Sequence, residues 1–199
     1  MASIDFGSKE IACKLVYYGP GLGGKTTNLQ YIHDHAPAQS TGAMVSLATE
    51  SDRTLFFDFL PLQAARIGEF TTKFQLYTVP GQTFYNATRK LVLQGADGVV
   101  FVADSQWIKM RENVESFRNL QENLASYGRS LEEVPYVLQY NKRDLPAIAP
   151  VEYMDFLLNS HSARVPSLEA IAITGHGVFK TLNAVSKMVL ASLVRRGGR

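Results

Sequence analysis

Hydrophobic positions along the chain follow two alternating rhythms. Short β-branched or aromatic runs occur at Ile11 to Tyr18, Thr54 to Leu60, Phe70 to Val79, Gly98 to Ala103, Pro135 to Tyr140 and Leu168 to Ile173. Between them lie stretches with apolar residues three and four apart. Met110, Val114, Phe117, Leu120, Leu124 and Tyr127 describe one such face, and Gly128 marks its stop. Val178, Leu182, Val185, Val189 and Leu193 describe a closing amphipathic helix, and a further helix is predicted from about Lys25 to His33. Gly98-Val99-Val100-Phe101-Val102-Ala103 is apolar without alternation, as a strand buried on both faces requires. Strands alternating with helices predict an α/β fold, a mainly parallel central sheet flanked by helices on both faces. Ligands in such sheets bind beyond the carboxyl ends of the strands. Ile4-Asp5-Phe6 before Gly7-Ser8 adds a candidate strand at about 3–7. With no internal repeat and no linker, residues 1–199 read as a single domain.

Composition narrows the class. At 199 residues with 46% hydrophobic and 19% charged positions, the chain has material for a substantial core and is unlike a disordered segment. A net charge of +2 argues against a protein that coats nucleic acid. The lone Cys13 excludes an internal disulfide framework and fits a reducing compartment. No run approaches a membrane span, no signal peptide or lipidation motif is visible, and Arg195, Arg196 and Arg199 are too few to anchor a membrane alone. The expectation is a cytoplasmic protein with no direct membrane anchor.

The turn after the first strand carries the chemistry. Gly19-Pro20-Gly21-Leu22-Gly23-Gly24-Lys25-Thr26 satisfies G-x-x-x-x-G-K-[ST], with a predicted strand before and a helix after. The glycines let consecutive N–H groups converge on phosphate oxygens, and the following helix N-terminus reinforces them. Lys25 is placed to reach the β- and γ-phosphates, and the Thr26 hydroxyl to ligate Mg²⁺. Asn141-Lys142-Arg143-Asp144 follows another predicted strand. A carboxylate there accepts two hydrogen bonds from guanine, whereas adenine would leave it desolvated and unpaired. A backbone N–H of Ala170-Ile171-Ala172-Ile173-Thr174, with Ala172 the candidate, is placed to meet the guanine oxygen; a plain buried strand is the other reading.

Here the sequence resembles the Ras-like small GTPases, and more closely the MglA-type bacterial gliding-motility and polarity GTPases. The resemblance covers the whole chain. It rests on Tyr17-Tyr18-Gly19-Pro20-Gly21-Leu22-Gly23-Gly24-Lys25-Thr26-Thr27-Asn28-Leu29, Thr54-Leu55-Phe56-Phe57-Asp58-Phe59-Leu60-Pro61, Tyr77-Thr78-Val79-Pro80-Gly81-Gln82 and Asn141-Lys142-Arg143-Asp144-Leu145-Pro146. It implies a P-loop small GTPase fold that binds GTP and GDP with Mg²⁺.

The resemblance also implies roles. The nucleotide would touch Gly19, Gly21, Leu22, Gly23, Gly24, Lys25, Thr26, Thr27, Gly81, Asn141, Lys142, Asp144 and Ala172. Gly81 matches the glycine that senses the γ-phosphate and Gln82 the residue that orients the attacking water. Thr26 and Thr54 would hold Mg²⁺, with Thr49 the rival for the second place. Arg53 resembles a built-in arginine finger; a solvated loop arginine beside Glu50 and Asp52 is its plainer reading. The family's Asp-x-x-Gly is here Thr78-Val79-Pro80-Gly81, so the carboxylate that holds a water on the metal is missing, a replacement shared with the MglA type. The implied activity is slow GTP hydrolysis to GDP, stimulated by a homodimeric roadblock-domain activator of the MglB kind, in a switch that controls polarity or motility through effectors and is recruited to a cell pole. A GTP-binding scaffold that scarcely hydrolyses, or an ATP-dependent phosphotransferase, would use the same cradle.

Other signals are weaker. His33 and His35 do not share a helix face, and His161 and His176 have no accompanying ligand pattern, so no zinc site is expected. Cys13 reads as a packed thiol. Trp107-Ile108 reads as core, with a partner-binding anchor the alternative. The strand from Leu55 to Leu60 is apolar on both faces, unusual for a sheet edge, and calls for a cover of helices or a partner.

Overall fold

The computed structural model describes residues 2–49, 52–67, 69–160 and 164–197. Strands β1 (Ser3–Asp5), β2 (Glu10–Tyr18), β3 (Val45–Thr49), β4 (Asp52–Ile67), β5 (Phe70–Thr78), β6 (Gly98–Asp104), β7 (Tyr136–Asn141) and β8 (Ser167–Glu169) form one sheet. Its order is β3-β4-β5-β2-β6-β7-β8, with β1 paired antiparallel to the start of β2. The β5-β2-β6-β7-β8 part is parallel; β3 and β4 add an antiparallel flank. This is the α/β fold the alternating pattern predicts.

The strand that empties into the glycine turn lies in mid-sheet. β2 pairs with β5 on one side, from Glu10 to Tyr17, and with β6 on the other, from Leu15 to Tyr18. Every residue of β6 and β7 is buried, which accounts for runs without alternation. Helices α2 (Asn86–Leu93), α3 (Met110–Ala125) and α4 (Val151–Leu158) cover one face, where Val16, Phe101, Phe117, Leu120 and Leu138 pack together. Helices α1 (Lys25–His35) and α5 (Val178–Gly197) cover the other, against Leu15, Tyr17, Val100 and Val137.

Several expectations are corrected. The strand at 54–60 is longer, running as β4 from Asp52 to Ile67, and it is not an edge: β3, which the hydrophobic pattern does not announce, pairs along it. β3 satisfies that edge of its backbone, and the helix Lys25–His35 covers one face, as expected, where Leu60 packs with Leu29 and Ile32. The last short strand stops at Glu169, and Ala172 lies in the turn beyond it, because Ile171 bridges back to His176 and closes a tight loop. Trp107 and Ile108 are not core residues. They sit on a short 3₁₀ turn after β6, 47% and 82% exposed, with the indole 4.8 Å from the Tyr153 ring. Cys13 is fully buried. His33 meets Asp34 and His35 stacks on Tyr31, and among the described residues no cluster of His, Cys, Asp or Glu could hold a metal. His161 lies outside the described residues. Among the described residues no helix is long and apolar enough to cross a membrane.

Candidate nucleotide site

The glycine turn joins β2 to α1 at the carboxyl end of the sheet. Gly24, at φ +99°, forms the N-cap of α1 and offers no side chain to its first-turn N–H groups; that turn contains no acidic residue. The free donors and the helix dipole therefore face the cleft uncompensated, an environment that selects an anion. A Cβ at Gly24 would run into Asn141 Nδ2 at 2.2 Å, so the close packing of the two loops requires glycine there.

Lys25 and Thr26 open the helix. The Lys25 ammonium is buried and donates to the carbonyls of Pro20 (2.7 Å) and Gly19 (3.2 Å). Burial lowers its pKa to about 7; the nearby Arg89 cation pushes the same way and the Asp58 carboxylate opposes both. A phosphate entering the cleft supplies the counter-charge that a buried ammonium lacks. The cleft, about 280 Å³, is lined by Leu22, Gly24, Lys25, Thr26 and Thr27 on the cradle side and by Asp58 and the Thr78–Gly81 turn opposite.

The two loops meet without an intervening side chain. A Cβ on Gly81 would lie 2.3 Å from Gly21 Cα. Gly81 therefore brings its backbone directly against the cradle, next to the place a terminal phosphate would occupy. Gln82 follows it, exposed and outside the lining of the cleft.

The second loop is tied to the first. Asn141, at the end of β7, donates from Nδ2 to the Gly23 carbonyl (2.8 Å) and accepts the Ala172 N–H at Oδ1 (2.9 Å). One buried amide thus spans the cradle, the Asn141–Asp144 loop and the Ala172 turn. The Ala172 N–H, the candidate donor to a base, is engaged by Asn141 in this structure. Lys142, at φ +65°, turns the chain out of β7 and pairs its ammonium with the fully buried Asp104 at 2.7 Å. Asp144 stands exposed beyond this turn.

Residues 14–191 match the Ras family. The chain belongs to that family. It is also 58% identical, over the full length of both chains, to the mutual gliding-motility protein MglA of Myxococcus xanthus (strain DK1622). Ras-family proteins bind GTP and GDP with Mg²⁺ and hydrolyse GTP, and the donors around this cleft fit that chemistry. They are hydroxyl and carboxylate oxygens beside a phosphate cradle, the hard ligand set that Mg²⁺ prefers.

One carboxylate lining the cleft carries no motif signature in the sequence. Asp58, on β4, is fully buried and faces the cleft. Its Oδ2 accepts the hydroxyls of Thr26 (2.6 Å) and Thr78 (2.8 Å), and its Oδ1 accepts the hydroxyl of Ser46 (2.8 Å). Its own N–H donates to Thr78 Oγ1. The only sequence signal was a single carboxylate inside the apolar run Leu55 to Leu60.

The residues expected to form the first switch lie elsewhere along these strands. Arg53 and Thr54 belong to the front of β4, and Thr49 ends β3. Their side chains lie outside the described residues. Thr54 stands four strand residues from Asp58, about 13 Å at the usual rise.

Proposed function

We propose that this chain is a GTP-hydrolysing molecular switch that governs motility or cell polarity. The observation that carries the reading is the Asn141 amide, which fastens the phosphate cradle and the loop bearing Asp144 into one site of matched halves. In this reading the cradle N–H groups and Lys25 hold the phosphates, and Asn141, Lys142 and Asp144 hold guanine. The Ala172 N–H joins them once the base displaces its present partner. Thr26 and Thr54 hold Mg²⁺, which neutralises phosphate charge when bound.

Gly81 senses the terminal phosphate, Gln82 places the attacking water, and Arg53 neutralises charge that develops as the phosphoryl group transfers. The exposed Gln82 supports slow intrinsic turnover, because it is not held against the cleft. A homodimeric roadblock-domain activator of the MglB kind would lock Arg53 and Gln82 in place. Hydrolysis then releases the front of β4 and the turn at Gly81, and effectors read the change. The likeness to a gliding-motility protein supports motility or polarity as the process, with cytoplasmic protein reaching a cell pole through its partners.

Calorimetry on nucleotide-stripped protein tests the core of this reading. GDP and GTP should bind and ADP and ATP should not; failure to bind either guanine nucleotide refutes it. A turnover assay with GTP, with and without a roadblock partner, tests the catalytic half.

A further inference from the structure

We propose that Arg89 is a specificity-determining charge for the terminal phosphate: a buried guanidinium without a counter-ion, held behind the cradle, that favours GTP over GDP through its field and not by contact. This rests on the nucleotide-binding reading above and concerns a residue outside the lining of that cleft.

Arg89, in α2, is fully buried. Its Nη2 donates to Ser116 Oγ on α3 at 2.7 Å, and the guanidinium lies 4.4 Å from the centre of the Tyr18 ring. Its Nε and Nη1 have no acceptor, and among the described residues no carboxylate pairs with it. A buried charge is costly unless paired, and a ring face with one hydroxyl is a partial answer. A residue kept for stability would sit in a satisfied network or give way to an apolar side chain.

The place of this cation gives it a target. Tyr18 ends β2 and directly precedes Gly19, so the ring under the guanidinium forms the root of the cradle. That ring is fixed: its hydroxyl donates to Asn119 Oδ1 (2.7 Å) and accepts from Asn123 Nδ2 (2.9 Å). Asn86, which opens α2, accepts from the same two amides. These polar groups pair with one another, and Ser116 is left to meet the guanidinium. The charge is felt in the cleft, where the Lys25 ammonium is destabilised first by burial and next by Arg89, with Asp58 opposing. Two buried cations thus bear on one cleft. A terminal phosphate adds negative charge beside Gly81, and between buried groups that attraction is little screened by salt. The strain of the bare guanidinium is therefore relieved more fully by a triphosphate than by a diphosphate.

Arg89→Met tests this, since methionine is unbranched and fills irregular space without the charge. Binding of fluorescently labelled GDP and of a labelled non-hydrolysable GTP analogue is measured, together with urea unfolding of the nucleotide-stripped protein. The ratio of GTP-analogue to GDP affinity should fall about tenfold, the scale of one charge acting across a partly buried gap. The urea midpoint should rise, because an unpaired buried charge has gone. A mere structural prop would behave in the opposite way, with a lower midpoint and an unchanged ratio.

An unchanged ratio overturns the inference. So does a midpoint that falls, or a variant that fails to fold, for either shows that the cation supports the fold. Ser116→Ala removes the hydrogen bond and keeps the charge, and should leave the ratio as in the wild type. A comparable fall there would trace the effect to the placement of α2 and is equally fatal. If the wild-type chain binds neither labelled nucleotide, the underlying reading fails instead, and this one with it.

Discussion

The two halves of the site are built differently. On the side proposed to hold the base, β6 and β7 are buried along their whole length and β2 from Leu15 to Tyr18, and the loops above them are joined by the Asn141 amide and the Lys142–Asp104 ion pair. On the phosphate-sensing side, β3 and β4 form an antiparallel flank with register shifts between Leu47 and Thr49. That flank is held to the cradle by hydroxyls around Asp58. The first half is rigid because its polar groups are satisfied within the core; the second is fastened by groups that a metal and a phosphate can re-engage. On the proposed reading, recognition of the base and response to the phosphate fall to regions fastened in these two different ways.

Substitutions should separate the two. Arg53→Ala and Gln82→Ala lie in the responsive half. Each should lower partner-stimulated GTP turnover by about 10³-fold or more in a phosphate-release assay, with the melting temperature unchanged. A comparable loss of stability would mean these residues hold the fold.

Cys13 probes the rigid half. Burial, with a smaller contribution from the Asp97 carboxylate, pushes its thiol up to about 12, so the neutral form persists far above physiological pH. At pH 8 the thiolate is about a thousandfold scarcer than for a thiol with the ordinary value near 9. Alkylation by iodoacetamide should be slow by that factor, and should keep rising with pH past the point where an exposed cysteine levels off.

Asp144→Ala should weaken GDP binding about a hundredfold and leave any residual binding indifferent to base, measured by calorimetry with GDP and ADP. Retained guanine preference would place base recognition elsewhere. The smallest effect is expected for Asn141→Ala. It orphans the Gly23 carbonyl and the Ala172 N–H, costing about 2 kcal/mol and lowering the melting temperature of the ligand-free protein by roughly 4–8 °C.

The rigid half was the more legible. The glycine cradle and the Asn141–Asp144 loop are local strings whose spacing dictates their geometry, and the unalternating run of β6 announced burial on both faces. The flank was less so. β3 is five residues long with Ser46 and Thr49 among them, and no periodicity distinguishes it from a loop. The eight-residue helices α2 and α4 were passed over for the same reason: two turns hold too few apolar repeats to register. Asp58 acquires its meaning from Thr78, twenty positions later, through a cross-strand register that no local pattern encodes. For Trp107 an aromatic ring after a buried strand suggests core, whereas the chain has already turned outward into its 3₁₀ segment and the ring meets Tyr153 instead.

The contact between Gly21 and Gly81 also bears on how a signal passes from one loop to the other. Flexible side chains between two loops absorb a displacement by changing rotamer, as a spring takes up a push. Here main chain bears on main chain, so there is nothing soft to yield. The cradle thus bears directly on the turn leading into α2, and a methyl group added at position 81 would lie 2.3 Å from Gly21 Cα and prise the two apart.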